Sequence, residues 1–323
     1  PLDSSAASDV YKRQIQLTGS SSAGVGVSFN YLNPKEVLSL GGGQVTINGT
    51  GVGTYGIDIQ NLDVLSSSGD ISMYGGTGGV NVKDRGVRFG SLLGSSVTSS
   101  SADLLVRGDD LEYDDLVVGF VNTLESTGTA VMESQGSGFS STFDYKNFDL
   151  GSSVSSLRIG KTSNSANVEV YDQVSIAGPI SIYGGEVTLR EDLSSSLSGA
   201  DILVKGRGDI ETISSRSVLT NNGDIAFWSN SDNSGGGSII LGNNNVLNSS
   251  NGRSGDTDSG GGRITLGGGS GSGTIPTGYS SSSTGAGIKL GTSTANHTEI
   301  YSGGGDISIK GSSTATGLSL IHI

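Results

Sequence analysis

One short phrase recurs along this chain and limits what it can fold into: a glycine, one further residue, then apolar–polar–apolar. It stands at residues 43–47, 69–73, 178–182, 223–227, 237–241, 262–266 and 305–309, with a variant at 285–290. Strand alternation puts the two apolar side chains of each phrase on one face. The glycines are expected to supply positive φ, turning the chain through tight corners. Each phrase buries only two or three apolar side chains, worth roughly 1.5–3 kcal/mol apiece. Ordering the backbone costs about 1–2 kcal/mol per residue. No phrase is stable alone, so neighbours must stack and share a core.

A longer repeat overlies the short one. Residues 71–76 match 180–185, and residues 102–108 match 200–206, with extra residues between the matched pieces in the first copy. Variable insertions between fixed strands are what stacked repeats tolerate at their corners. The spacing is too irregular for a propeller or an ankyrin-type array. The expected fold is therefore all-β, a parallel β-helix (β-solenoid) with irregular coil lengths. The runner-up is a string of β-sandwich repeats, which calls for more aromatic core anchors than 6% aromatic residues and a single Trp provide. Almost nothing reads as helix; residues 109–123 are rich in charged and apolar side chains, but Gly119 and paired valines oppose a long one.

Composition agrees. The chain has 55 Gly, 4 Pro and no Cys among 323 residues, so a disulfide framework or thiolate metal site is excluded. No apolar run approaches the roughly 18 residues that suggest a membrane helix. Net charge is −13, from 31 acidic against 18 basic residues. Without a basic stripe such a chain repels phosphate backbones, which argues against nucleic acid as a partner.

The ends stand apart. Residues 9–14 can be back-translated into a DNA whose reverse complement encodes residues 318–323, and that DNA resembles a transposon end used as a sequencing adapter. Residues 1–14 and 318–323 are accordingly expected to be adapter-derived scars, not native, and the chain a fragment. His322 falls in the second scar, leaving His297. The remaining segments read as β-solenoid coils over 15–108, a less regular charged and aromatic stretch over 109–156, and β-solenoid coils over 157–317. Residues 249–262 and 267–287 read as long corner loops.

Residues 157–185, 200–208, 219–237 and 303–311 carry a family resemblance, with a weaker echo over 41–108. Their glycine-bounded strands, such as Gly178-Pro179-Ile180-Ser181-Ile182 and Gly305-Asp306-Ile307-Ser308-Ile309, resemble the repeats of filamentous-haemagglutinin-like exoproteins and autotransporter-type giant bacterial adhesins. The resemblance implies secretion to the bacterial cell surface, a right-handed parallel β-helix (β-solenoid) shaft, and roles in adhesion or biofilm formation. It implies unidentified partners on host cells, neighbouring cells or glycans. The family's secretion-recognition domain is not visible in this sequence.

Polysaccharide lyases and hydrolases also use β-helices, and hydrolysis needs paired carboxylates at a set separation. Asp109, Asp110, Glu112, Asp114 and Asp115 supply carboxylates, but a charge run is usually a solvated face. Glu186, Arg190, Glu191 and Asp192 form a second charged corner with the same reading. Tyr74, Tyr183 and Trp228 could stack on sugars, although aromatic ladders between coils are the commoner cause. His297 has no ligand partner at metal spacing. Calcium is the one ion the sequence hints at: Gly303-Gly304-Gly305-Asp306 and Asp256-Thr257-Asp258 are fragments of a calcium-binding glycine repeat and read as turn formers. Asn48, Asn248 and Asn296 begin incidental glycosylation sequons. Residues 41–43 and 267–269 are not phosphate loops, since no lysine and helix follow. Thr292 and Thr294 are too sparse for an ice-binding face. The sequence thus assigns no catalytic, metal or cofactor-binding residue and no enzyme activity. It points to a structural and adhesive module, with a carbohydrate-active enzyme as the alternative.

Overall fold

The computed structural model describes residues 14–29, 35–39, 43–52, 55–66, 69–76, 79–90, 103–113, 122–125, 127–146, 148–251, 260–282, 285–291 and 297–313. Both expected scars lie outside them, apart from Gln14. Every regular element among the described residues is a β-strand, and the chain divides into two compact units, Pro1–Lys161 and Thr162–Ile323.

In the second unit the chain visits three parallel sheets in turn. Val168–Val170, Val174–Ile176 and Ile180–Gly184 make one rung. Val187–Leu189, Leu193–Ser198 and Ile202–Gly206 make the next, each strand paired in parallel with its counterpart. The third rung is Ile210–Thr212, Ser217–Asn221 and Ile225–Ser229. The fourth is Ile239–Leu241, Val246–Asn248 and Ile264–Ser272. Ile288–Leu290, Glu299–Tyr301 and Ile307–Ile309 complete a fifth.

Register keeps like over like. Ile180, Ile202, Ile225, Ile264 and Ile307 stand in one column, and Ile182, Val204, Phe227, Leu266 and Ile309 in another. From Ile180 to Ile264 and from Ile182 to Leu266 these side chains are fully buried. The recurring phrase is therefore the unit of the core, and each copy is covered by the copies on either side. At roughly 1.5–3 kcal/mol per buried side chain, the column supplies what one phrase could not.

The first unit also stacks its strands in parallel and in register. Ile15–Ser21, Val45–Gly51, Ile71–Gly76, Leu104–Gly108, Thr129–Glu133 and Ser156–Ile159 pair in parallel in that order. Ile15, Val45, Ile71, Leu104, Ala130 and Leu157 align in register, as do Leu17, Ile47, Met73, Val106, Met132 and Ile159. A second parallel sheet contains Val27–Phe29, Lys35–Ser39, Ile57–Ser66, Val80–Gly90, Leu111–Tyr113, Asn122–Glu125 and Phe148–Leu150. At Phe139, Phe143, Tyr145 and Phe148 the core is aromatic. Phe139 stacks on Phe143 at 4.9 Å between ring centroids, and Tyr145 lies 6.0 Å from Phe148, all four buried.

The long repeat falls on adjacent strands within each unit: Ile71–Gly76 beside Leu104–Gly108, and Ile180–Gly184 beside Ile202–Gly206. Two expectations need correction. The phrase glycines Gly69, Gly223, Gly262 and Gly305 do not have positive φ; a Cβ on any of them would collide with the backbone carbonyl of the residue one rung earlier, namely Gly43, Ala200, Gly223 and Gly262 in turn. They are small because the stacked backbones touch there. Among the described residues positive φ falls at other positions, such as Gly199 at 78° and Gly291 at 77°. Residues 267–278 are not a loose loop either: Ile264–Ser272 turns back through Gly273 into Ile275–Gly278 as an antiparallel hairpin.

Candidate functional site

Before several core strands an Asp or Asn side chain links rung to rung. Asp201 Oδ1 accepts the Asp224 N–H at 2.7 Å, and Asp224 Oδ1 accepts the Arg263 N–H at 2.7 Å. Asp70 takes the Asp103 N–H at 3.2 Å, and Asp103 the Thr129 N–H at 2.6 Å. The other two sheets of the second unit use Asn167 to Glu186, Asp209 to Ser238 and Asp192 to Ser217, at 2.6–2.9 Å. An Asp or Asn side chain is short enough to reach a neighbouring backbone amide and presents an acceptor there. Burial pushes the Asp201 carboxyl up; the Asp224 N–H opposes this and the Asp224 charge adds to it, leaving the net shift upward. These side chains were missed in the sequence, although Asp follows Gly or Ala in the phrase at Asp70, Asp103, Asp201, Asp224 and Asp306.

The sequence-selected charges do not converge. Asp109 Oδ1 accepts the Gly136 N–H at 2.6 Å, while Asp110 accepts from the Ser141 hydroxyl at 3.4 Å. The Glu112 side chain, Asp114 and Asp115 lie outside the described residues. Glu186 accepts from Asn167 Nδ2 at 3.1 Å. Glu191 pairs with Arg216, and Arg190 Nε donates to Glu169 at 2.6 Å. Burial alone would raise the Glu169 carboxyl, but the hydrogen bond from Arg190, with further help from Tyr171, leaves it lowered. In the first unit Glu133, 2% exposed, sits between Arg107 and Arg158, with 2.7 Å contacts from Arg107 Nε and Arg158. Arg107 in turn lies over the Tyr74 ring.

Trp228 is 4% exposed. Its Nε1 donates to the Gly269 carbonyl at 2.8 Å, and Lys205 Nζ stands 3.5 Å from the ring centroid. The hairpin closes over it, and a Cβ at Gly271 would strike the indole. Trp228 is thus unavailable as a sugar platform, and desolvation lowers the neighbouring Lys205 ammonium. His297 has a side chain 83% exposed, 3.6 Å from Glu299. Asp306 is exposed; Asp256, Asp258, Asn296, Thr292 and Thr294 lie outside the described residues. Among the described residues, no three of His, Asp and Glu gather as a metal site, and no helix is long and apolar enough to cross a membrane.

Among the described residues of the second unit, two concavities stand out. One, about 420 Å³, includes Asp209, Ser238, Ser281 and Lys289. Its carboxylate is occupied by the Ser238 N–H and hydroxyl. The other, about 500 Å³, crosses three rungs and is lined by Ser194–Ser196, Ser217, Leu219, Thr220, Asn221, Val246, Asn248, Ser250 and Asn251. Its lining carries hydroxyls, carboxamides and two apolar side chains, without a charge. No protein-family model, curated protein or solved structure matches the chain.

Proposed function

We propose that the chain is a structural shaft and adhesive module of a secreted bacterial surface exoprotein, each unit being a stretch of right-handed parallel β-helix. The observation that carries this reading is the in-register parallel stacking of strands, three to a rung in the second unit, with an Asp or Asn side chain joining one rung to the next. Crossovers between parallel strands of one sheet are right-handed in about 98% of cases, which favours that hand. Such a stack grows by repetition and presents long outward faces, the property a spacer needs. The charged side chains support the same role, since Glu133, Glu169 and Glu191 are each engaged with arginine rather than directed together at a groove.

The test is retention of particles coated with the purified chain on host-cell and biofilm-matrix surfaces, against uncoated particles. The adhesive role predicts retention of the coated particles alone. Equal retention of both overturns it. Incubation with acidic and neutral polysaccharides tests the enzyme alternative: new reducing ends or unsaturated products would replace the structural reading with a catalytic one.

A further inference from the structure

We infer that the 500 Å³ groove on the second sheet of the unit 162–323 binds a neutral, linear, polyhydroxylated chain, an uncharged polysaccharide. This assignment rests on the adhesive reading above and names the ligand class and site.

The groove follows the direction in which the rungs stack. Ser194, Leu219 and Asn248 are register partners on successive strands, so equivalent positions recur at about 4.8 Å. A linear ligand lying across the strands meets a similar set of contacts at each step. Leu219, 37% exposed, offers an apolar surface to the C–H face of a sugar ring, with hydroxyl and carboxamide groups around it. Asn221 adds a specific demand. Its Nδ2 donates to the Ser196 carbonyl at 2.9 Å, whereas its Oδ1 is shielded from solvent without a donor. An acceptor left without a donor is costly, and a turn of the Asn221 carboxamide toward the groove would let a ligand hydroxyl donate to it.

The chemistry also discriminates. A uronate or sulfated chain would bring charge into a lining that holds no cation to pair with it. An extended peptide satisfies its backbone by adding to a sheet edge. This groove lies on a sheet face, where partners must be side chains, and hydroxyl groups suit that requirement better than amides.

The experiment is calorimetric titration of the full chain with cellohexaose, maltohexaose, xylohexaose and mannohexaose. An oligogalacturonate and a neutral Ser/Thr-rich peptide serve as contrasting probes. Saturable binding of at least one neutral sugar is expected, weakened at least tenfold by Leu219→Arg and by Ser194→Arg. Tyr279→Ser, at a residue 59% exposed and absent from the groove lining, should leave it unchanged. Thermal melts establish that each variant is folded. Failure of every neutral sugar, tighter binding of the oligogalacturonate or peptide, or wild-type affinity in both folded groove variants overturns the site. If the sugars fail while coated particles still adhere, the site is wrong and the adhesive role stands; loss of both removes the role as well.

Discussion

At the scale of single residues, glycine and aspartate set how one rung meets the next. Gly223 has an ordinary φ but no room, because its Cβ would meet the Ala200 carbonyl; Gly199 has room but a φ of 78°. Gly223→Ala should therefore cost about 3 kcal/mol, the upper range for overpacking, and Gly199→Ala about 1–2 kcal/mol for a left-handed conformation. Urea melts giving the reverse order would contradict the close-approach explanation. Asp201 makes a pH prediction. Its carboxyl is raised in the folded protein, so its contribution is fully present below the unfolded carboxylate pKa and is lost as pH rises through the folded value. Asp201→Asn keeps an acceptor for the Asp224 N–H and removes the charge. It should stabilise the protein at pH 7 by roughly a few tenths of a kcal/mol, since the carboxyl is only partly buried. The gain should vanish near about pH 3, where the wild-type carboxyl is protonated. A gain independent of pH would sink this account. The phrase glycines and the Asp that follows several of them were visible in the sequence, but their roles were not. Both depend on which residue lies one rung away, and register is a property of the stacked structure.

At the scale of elements, the strands were legible and their outward dressing was not. Apolar alternation marked Ile180–Gly184, Ile202–Gly206 and Ile225–Ser229, because period two directly encodes a buried face. Nothing local marked Trp228 as buried, since its cover is a glycine-rich hairpin later in the chain. The hydroxyls facing inward were equally hidden. Thr212, 2% exposed, occupies a core column and accepts from Asn245, while Ser195 and Thr220 donate to the carbonyls of Gly178 and Gly223. These residues break the apolar pattern but remain satisfied by neighbouring turns. The Arg107–Glu133–Arg158 group likewise depends on rung-to-rung placement. Glu133→Ala should destabilise the first unit by about 2–3 kcal/mol, below the fully buried range because both arginines reach solvent. Calorimetry showing no change would mean that the pairs are only surface ornament.

At the scale of the molecule, the central claim is that the successive strands of each unit stack in parallel, at the register given by Ser175 with Ser194, Thr188 with Glu211, and Gln16 with Thr46. The groove, the Asp links and the proposed adhesive role all depend on that register. Because the chain contains no cysteine, paired cysteine substitutions can report it without background. A disulfide needs Cα atoms roughly 4.4–6.8 Å apart with side chains on one face. Under mild oxidation, cysteines at each of these three pairs should cross-link rapidly, whereas cysteines at Ser175 and Ser195 should not, being one position out of register and on opposite faces. Rapid cross-linking of the displaced pair, with none at the three aligned pairs, would contradict the stacked arrangement.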